Sequence, residues 1–383
     1  MRKALLALLV LCSMQTTWAR KWTVAEVKAT IEKVNNYWQS HNPAEVRAFW
    51  DPAAYHTGNI EAYRLTGNER WLDYSKRWAE HNKWMGATER DPAKWLYKKY
   101  GESQQHVLFG DWQICFQTYI DIYNIEKARG TAASLEYMTA RAREVMGYMA
   151  DSRATDYWWW ADALYMVMPV MTKMYRLTGE QKYLDKLYAN LCYADSIMLD
   201  GETGLYFRDG KYVFPAHKTA RGKKDFWARG DGWVLAGLAK VLADLPVDHP
   251  RRSFFVSKYR RLAAAVAPLQ RKGGYWSRSM MDEQQAPGPE TSGTAFFTYG
   301  LLWGVNHGYL PVRKYRKTID RAWCYLSSTA LQPDGKVGYV QPIGEKAIPG
   351  QVVDQNSEAN FGVGAFLLAA CEYARYLEGR GTR

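Results

Sequence analysis

Cysteine and histidine are scarce, and neither is arranged to hold a metal. The chain has 5 cysteines and 7 histidines in 383 residues. Beyond the N-terminal leader the cysteines are Cys115, Cys192, Cys324 and Cys371, far apart and without a CxxC pair, which argues against a zinc cluster. No histidine pair has the H-E-x-x-H spacing. Each of the four cysteines sits in an apolar, helical-looking stretch, so buried free thiols are expected rather than disulfides. Long apolar runs are missing too. The run Ala4 to Cys12 is too short to span a bilayer, and no later segment reaches membrane-spanning length. Strictly alternating strand patterns are rare.

The short run has a different reading. Arg2 and Lys3 precede it, and Thr17-Trp18-Ala19 supplies a small-residue cleavage site. Residues 1–19 therefore read as a secretory signal peptide cut after Ala19, and export to the periplasm or the medium is expected. A lipoprotein would use Cys12, but Leu11 before it is large where a small residue is needed. Residues 20–383 remain as a single domain. The net charge of +12 falls to +10 once Arg2 and Lys3 leave. The basic residues are spread out and form no nucleic-acid recognition motif, so no nucleic-acid partner is expected. The charge suits either a generic basic surface or attraction of an acidic ligand.

What the chain does have is a helical repeat. Tyr63-Arg64-Leu65-Thr66-Gly67 recurs 112 residues later as Tyr175-Arg176-Leu177-Thr178-Gly179. Each copy predicts a helix end, a glycine in the left-handed position beyond it, and a new helix within a few residues. A fainter copy lies at Asn306-His307-Gly308-Tyr309-Leu310. Helical apolar spacing recurs over Gln113 to Tyr123, Leu135 to Met149, Trp233 to Leu242, Tyr259 to Leu269 and Phe361 to Tyr376. The count is about six hairpins of roughly sixty residues each, and such hairpins stack openly or close into a ring. Without polar capping repeats, closure is the better reading. The fold class is all-α, an (α/α)6 toroid, with function carried by the long loops at one end.

Those loops carry acids among aromatics. Tyr157-Trp158-Trp159-Trp160-Ala161-Asp162 places a carboxylate where hydration is poor, which is costly without a partner. It reads either as a core helix with a locally paired Asp162 or as a saccharide site, where aromatic faces stack on sugar rings. The total of 17 Trp and 27 Tyr suits carbohydrate. Asp111, in Phe109-Gly110-Asp111-Trp112, reads as an N-cap or as a second functional acid. Phe226-Trp227-Ala228-Arg229-Gly230-Asp231-Gly232-Trp233 reads as a glycine-bearing loop entering a helix, with Arg229 able to hold a carboxylate bidentately. Lys218, Arg221, Lys223 and Lys224 upstream form a basic loop. Pro289-Glu290-Thr291-Ser292-Gly293 reads as a helix cap.

Together WWWADALYM, the following helix ending in YRLTG, FWARGDGW and PETSGTAFF resemble glycoside hydrolase family 105. These are the unsaturated rhamnogalacturonyl hydrolases, relatives of the family 88 unsaturated glucuronyl hydrolases. The resemblance runs from about Trp38 to Tyr376. It implies an (α/α)6 barrel, Asp162 as catalytic acid and Asp111 as a second aspartate in support. Two departures stand out. Asp231 occupies a place where asparagine is usual, and Gly204-Leu205 is followed by Tyr206-Phe207-Arg208 where many members carry a histidine. His217 is a candidate substitute.

The chemistry implied is hydration of a 4,5-unsaturated uronic acid at the end of a lyase-generated oligosaccharide, with no metal or organic cofactor. Arg229 and the basic loop are the candidates for the substrate carboxylate, and Trp50, His56, Trp159 and Trp233 for sugar contacts. The residues leave open another enzyme on the same barrel, an ordinary glycosidase or a sugar epimerase, and also a non-catalytic saccharide-binding protein. They do not give the oligomeric state.

Overall fold

The computed structural model describes residues 21–86, 108–130 and 134–381, so the expected leader and cleavage site lie outside the described residues. The barrel helices in chain order are α1 (Val24–His41), α2 (Trp50–Thr66), α3 (Glu69–His81), α4 (Gly110–Gln113), α5 (Cys115–Ala128), α6 (Tyr137–Asp151), α7 (Ala161–Met166), α8 (Met168–Thr178), α9 (Lys182–Met198), α10 (Ala228–Asp244), α11 (Arg252–Val266), α12 (Thr291–Asn306), α13 (Val312–Tyr325) and α14 (Asn360–Gly381). Among the described residues there is no strand, only isolated bridge pairs. No described helix is long and apolar enough to cross a membrane.

Local chemistry sets the helix ends. The Thr23 hydroxyl accepts from the Glu26 N–H at 3.2 Å, while the Glu26 carboxylate accepts from the Thr23 N–H at 2.8 Å, a capping box that starts α1. The repeated YRLTG ends α2 and α8 in the same way. Gly67 (φ 72°) and Gly179 (φ 76°) take the left-handed conformation, and each N–H returns 2.7 Å to a tyrosine carbonyl, Tyr63 and Tyr175. Only glycine adopts this conformation without cost.

The helices alternate between two rings. α12 is buried from Thr291 through Val305. By contrast, α13 buries Tyr315, Ile319, Ala322, Trp323 and Tyr325 and turns charged residues outward. A helix buried all round belongs inside, and an amphipathic one outside. The inner ring runs α2, α4–α5, α7–α8, α10, α12, α14 and back to α2, with α1, α3, α6, α9, α11 and α13 around it. This is the (α/α)6 toroid. Glycine makes the ring tight. A Cβ on Gly58 would lie 2.2 Å from the Gly364 carbonyl oxygen, and one on Gly237 would lie 2.5 Å from that of Leu164. So α2 meets α14, and α10 meets α7, backbone to backbone.

The break between α7 and α8 has a cause. Pro169 has no N–H for the carbonyl four residues back, and its ring crowds that carbonyl. The residue concerned is Tyr165, and the Gln117 side chain takes over, donating to Tyr165 O at 2.8 Å and Met166 O at 3.1 Å. At the C-terminal end of the inner helices an ion-pair network ties the ring. Arg64 contacts Glu61 at 2.6 Å and Asp121 at 2.9 Å, and Lys173 contacts Asp121 at 2.6 Å. Cys115, Cys192, Cys324 and Cys371 are free thiols as expected, but Cys192 and Cys324 are only partly buried because they sit on outer helices.

Candidate active site

Among the described residues every inner helix is preceded by an outer one, so the inner helices run parallel and their N-termini gather at one end of the ring. The connections 152–160, 199–227, 267–290 and 331–359 each lead into such an N-terminus. The acids and aromatics singled out in the sequence meet here.

The tryptophan run is extended, not helical. Trp158 and Trp160 are buried, Trp159 between them is half-buried, and Trp160 (φ −139°, ψ 150°) precedes the first turn of α7. The alternation is that of an extended chain. It leaves Asp162 as the second residue of α7. Asp111 is likewise the second residue of α4, with Phe109 at the N-cap position, so the cap reading of Asp111 does not hold. The two helix starts touch, since Phe109 stacks on Trp160 at 4.7 Å. Two buried carboxylates thus sit at neighbouring helix N-termini, where the helix dipole favours negative charge.

Asp162 is 7% exposed, and its partner is Arg208, with Nε 3.4 Å from Oδ2. Arg208 lies in the segment after Gly204-Leu205 that lacks the expected histidine. Its backbone carbonyl accepts from the Ala161 N–H at 2.8 Å, and Asp209 bridges to Trp160, so the loop is laid against the start of α7. Its guanidinium lies 5.9 Å from the Trp159 ring centroid. Burial pushes the Asp162 carboxyl above the usual aspartate range. Arg208 and Arg229 pull it down, and Asp209 adds to the rise. Arg208 loses hydration too, but Asp162, Asp209 and Glu345 hold its guanidinium above the ordinary value.

Sequence reasoning missed the rest of this corner. Arg208 Nη1 donates to Asp209 at 2.7 Å and to Glu345 at 3.3 Å. Glu345 also accepts from Tyr212 OH at 2.6 Å and pairs with Lys211 at 3.3 Å. Arg208, Lys211 and Tyr212 therefore hold the Glu345 carboxylate between them. Nothing in the local sequence around Glu345 announces it, because the loop 331–359 reaches the corner only through the fold.

Arg229 is buried, with its guanidinium carbon 4.4 Å from the Trp227 ring centroid and 4.7 Å from that of Phe361. It donates to Gln341 O at 2.7 Å, Pro342 O at 2.9 Å and Ser292 Oγ at 3.2 Å. Burial pulls its pKa down to about 10, against the opposing charges of Glu290 and Asp162. FWARGDGW is not a loop at this point, because α10 begins at Ala228. Its glycines serve packing, as a Cβ on Gly232 would lie 3.1 Å from Phe296 Cβ. Asp231 is fully buried, accepts from the Tyr206 N–H at 2.8 Å through Oδ1, and has no partner at Oδ2, so burial raises its pKa well above the usual range. Glu290 caps α12, as read from the sequence, accepting from the Ser292 and Gly293 N–H groups at 2.9 and 2.7 Å.

The other candidates divide. Trp50 is half-buried at the start of α2, 5.2 Å from Phe361 and edge-on to Trp233 at 6.4 Å. Trp233 is fully buried against Phe296 (4.2 Å) and Tyr165 (4.8 Å), inside the ring. His56 lies between α2 and α3, stacked on Trp78 at 4.0 Å and bonded to Ser75 Oγ at 2.9 Å. Burial holds it well below the ordinary histidine pKa. His217 is on the 199–227 loop, 3.1 Å from Asp225 and edge-on to Tyr212. The basic loop pairs locally: Lys224 meets Asp200 and Glu202 at 2.8 and 2.7 Å, and Arg221 meets Asp282 at 3.6 Å.

This fold has known counterparts. The unsaturated 3S-rhamnoglycuronyl hydrolase of Formosa agariphila is 31% identical over 365 residues, covering 92% of each chain. A solved structure of a polysaccharide lyase is 63% identical with a TM-score of 0.86, covering 93% of this chain and 98% of that one. The family 88 glycosyl hydrolase structure from Bacteroides vulgatus is 54% identical with a TM-score of 0.86, covering 93% and 100%. Residues 22–377 match Glycosyl Hydrolase Family 88, and the protein belongs to that family.

Proposed function

We propose that this protein is an exported glycoside hydrolase that removes a 4,5-unsaturated uronic acid from the end of an oligosaccharide. The observation that carries this reading is Asp162, a buried acid with a raised pKa, set 3.4 Å from Arg208 among tryptophans. A protonated Asp162 donates its proton to carbon 4 of the unsaturated ring. The ring oxygen stabilises the cation left at carbon 5, and water adds there. Asp162, now a carboxylate, takes the water's proton. The hemiketal opens and the neighbouring sugar leaves. Asp111 at the adjacent helix start supports the water and the charge balance. Arg208 is preferred to Arg229 for the substrate carboxylate, since its Nε has no hydrogen bond even though Nη1 is held by Asp209 and Glu345, while Arg229 is engaged with loop carbonyls. Rhamnose next to the uronic acid is supported by the name of the Formosa relative. Export is supported by the leader-like residues 1–19.

A second reading is favoured by one observation, the polysaccharide lyase at 63% identity. On a saturated 4-linked uronide, a base removes the proton at carbon 5. The electron pair forms the carbon 4–carbon 5 double bond, and the carbon 4–oxygen bond breaks as its oxygen is protonated. Arg208 serves here as well, by neutralising the carboxylate. One assay separates the readings by sign. A hydrolase acting on an unsaturated disaccharide lowers the ultraviolet absorbance of the conjugated double bond, whereas a lyase acting on a saturated uronide raises it. Rising absorbance with the saturated substrate, and none lost with the unsaturated one, overturns the hydrolase.

A further inference from the structure

A cavity opens at the same end of the barrel, between the C-terminal end of α1 and the start of α2. It has a volume of about 460 Å³, within the usual range for small-molecule sites. Among the described residues, Trp38, Tyr55 and Tyr74 line it together with Asn42, Asp51 and Asn360. The polar tips of both tyrosines are engaged within the protein. Tyr55 OH donates to Asn35 Oδ1 at 2.5 Å and Tyr74 OH to Asn42 O at 3.2 Å. These aromatics therefore bring apolar ring surface to the cavity.

Asp51 supplies the opposite chemistry. Its Oδ2 accepts from Asn360 Nδ2 at 3.1 Å, while its buried Oδ1 has no hydrogen bond and lies 3.8 Å from Arg47 Nη2. A buried acceptor without a donor calls for one. The two charges decide what kind. Asp51 repels an anion, and Arg47 repels a cation. A neutral ligand with hydroxyl donors beside an apolar face satisfies both, and a sugar ring has that pattern.

Two of the cavity's lining residues are chain neighbours of aromatics beside Arg229. Asp51 follows Trp50 and Asn360 precedes Phe361, the aromatic pair 5.2 Å apart beside Arg229. We propose that this cavity is a second saccharide site, taking one neutral sugar residue of a longer chain whose acidic end is processed at Asp162. The inference rests on the reading that the substrate is an oligosaccharide.

The test titrates the full chain with saturated, uronate-free oligosaccharides of neutral hexoses and deoxyhexoses, by calorimetry and saturation-transfer NMR. Val46→Trp fills the cavity from its wall. Asp51→Asn keeps an acceptor for Asn360 and removes the charge. Saturable binding by the wild type is expected, weakened at least tenfold by Val46→Trp and several-fold by Asp51→Asn. Turnover of an unsaturated disaccharide is expected to be unchanged by Val46→Trp. The proposal is overturned if the wild type binds no member of the panel, or if either variant binds as tightly as the wild type. Failure of the hydrolase reading shows separately, as no turnover of the disaccharide by the wild type.

Discussion

Arg208 Nε faces Asp162 Oδ2 across 3.4 Å, and neither atom makes a hydrogen bond. Opposite charges at this distance attract strongly away from water, yet the directional part of the interaction is unmade. Each group keeps capacity for a substrate atom, the arginine for a carboxylate oxygen and the aspartate for a proton to deliver. Arg208 also lowers the very pKa that burial raises in Asp162. The pair thereby tunes the acid as well as neutralising it.

Asp162→Asn should leave the fold intact, since the amide has nearly the same shape. It should reduce turnover by about 10²–10⁴-fold, the usual worth of a general acid or base. Steady-state kinetics with an unsaturated disaccharide, alongside a melting curve, checks this. In heavy water the wild type should place deuterium at carbon 4 of the released product.

Arg208→Gln removes the positive charge that pulls the Asp162 pKa down, so that pKa should rise further. The reaction needs the protonated acid, so the alkaline limb of the pH–rate profile should move to higher pH. KM should rise as well, because the carboxylate loses its ion pair. A profile that keeps its shape while only KM changes would confine Arg208 to binding.

Asp231→Asn should stabilise the protein at neutral pH. The native carboxyl has a raised pKa, so between the unfolded pKa of about 3.9 and the native value the folded state binds more protons. Stability therefore falls as pH rises through that window, by up to about 1.4 kcal/mol per pH unit. The amide keeps an acceptor for the Tyr206 N–H and does not titrate. The variant's stability, followed by chemical denaturation, should lose this slope.

Arg229→Ala should lower stability and activity together. It leaves the Gln341 and Pro342 carbonyls without their donor, at about 1–3 kcal/mol for a buried group left unpaired. It also frees the loop that brings Glu345 to Arg208. Melting temperature and kcat/KM measured on the same preparation test the coupling. Loss of activity at wild-type stability would instead return Arg229 to the substrate carboxylate.

By itself the sequence determined the helices, their number in pairs and the acids at their starts. These are local matters: apolar spacing, the left-handed glycines Gly67 and Gly179, and the capping carboxylate Glu290 all act within a few residues. Asp162 was conspicuous because a charge among tryptophans is unfavourable wherever the chain goes. Arg208 was visible only within a segment where a histidine was missing, since its meeting with Asp162 spans 46 positions of chain. Only the tertiary structure decided that Arg208 is the partner, that Glu345 arrives from the far end of the sequence, and that Arg229 faces loop carbonyls. It also placed His56 and Trp233 in the packing. Ring closure sets these contacts, bringing six helix starts to one end and leaving direction and burial to choose which side chains remain available to a ligand.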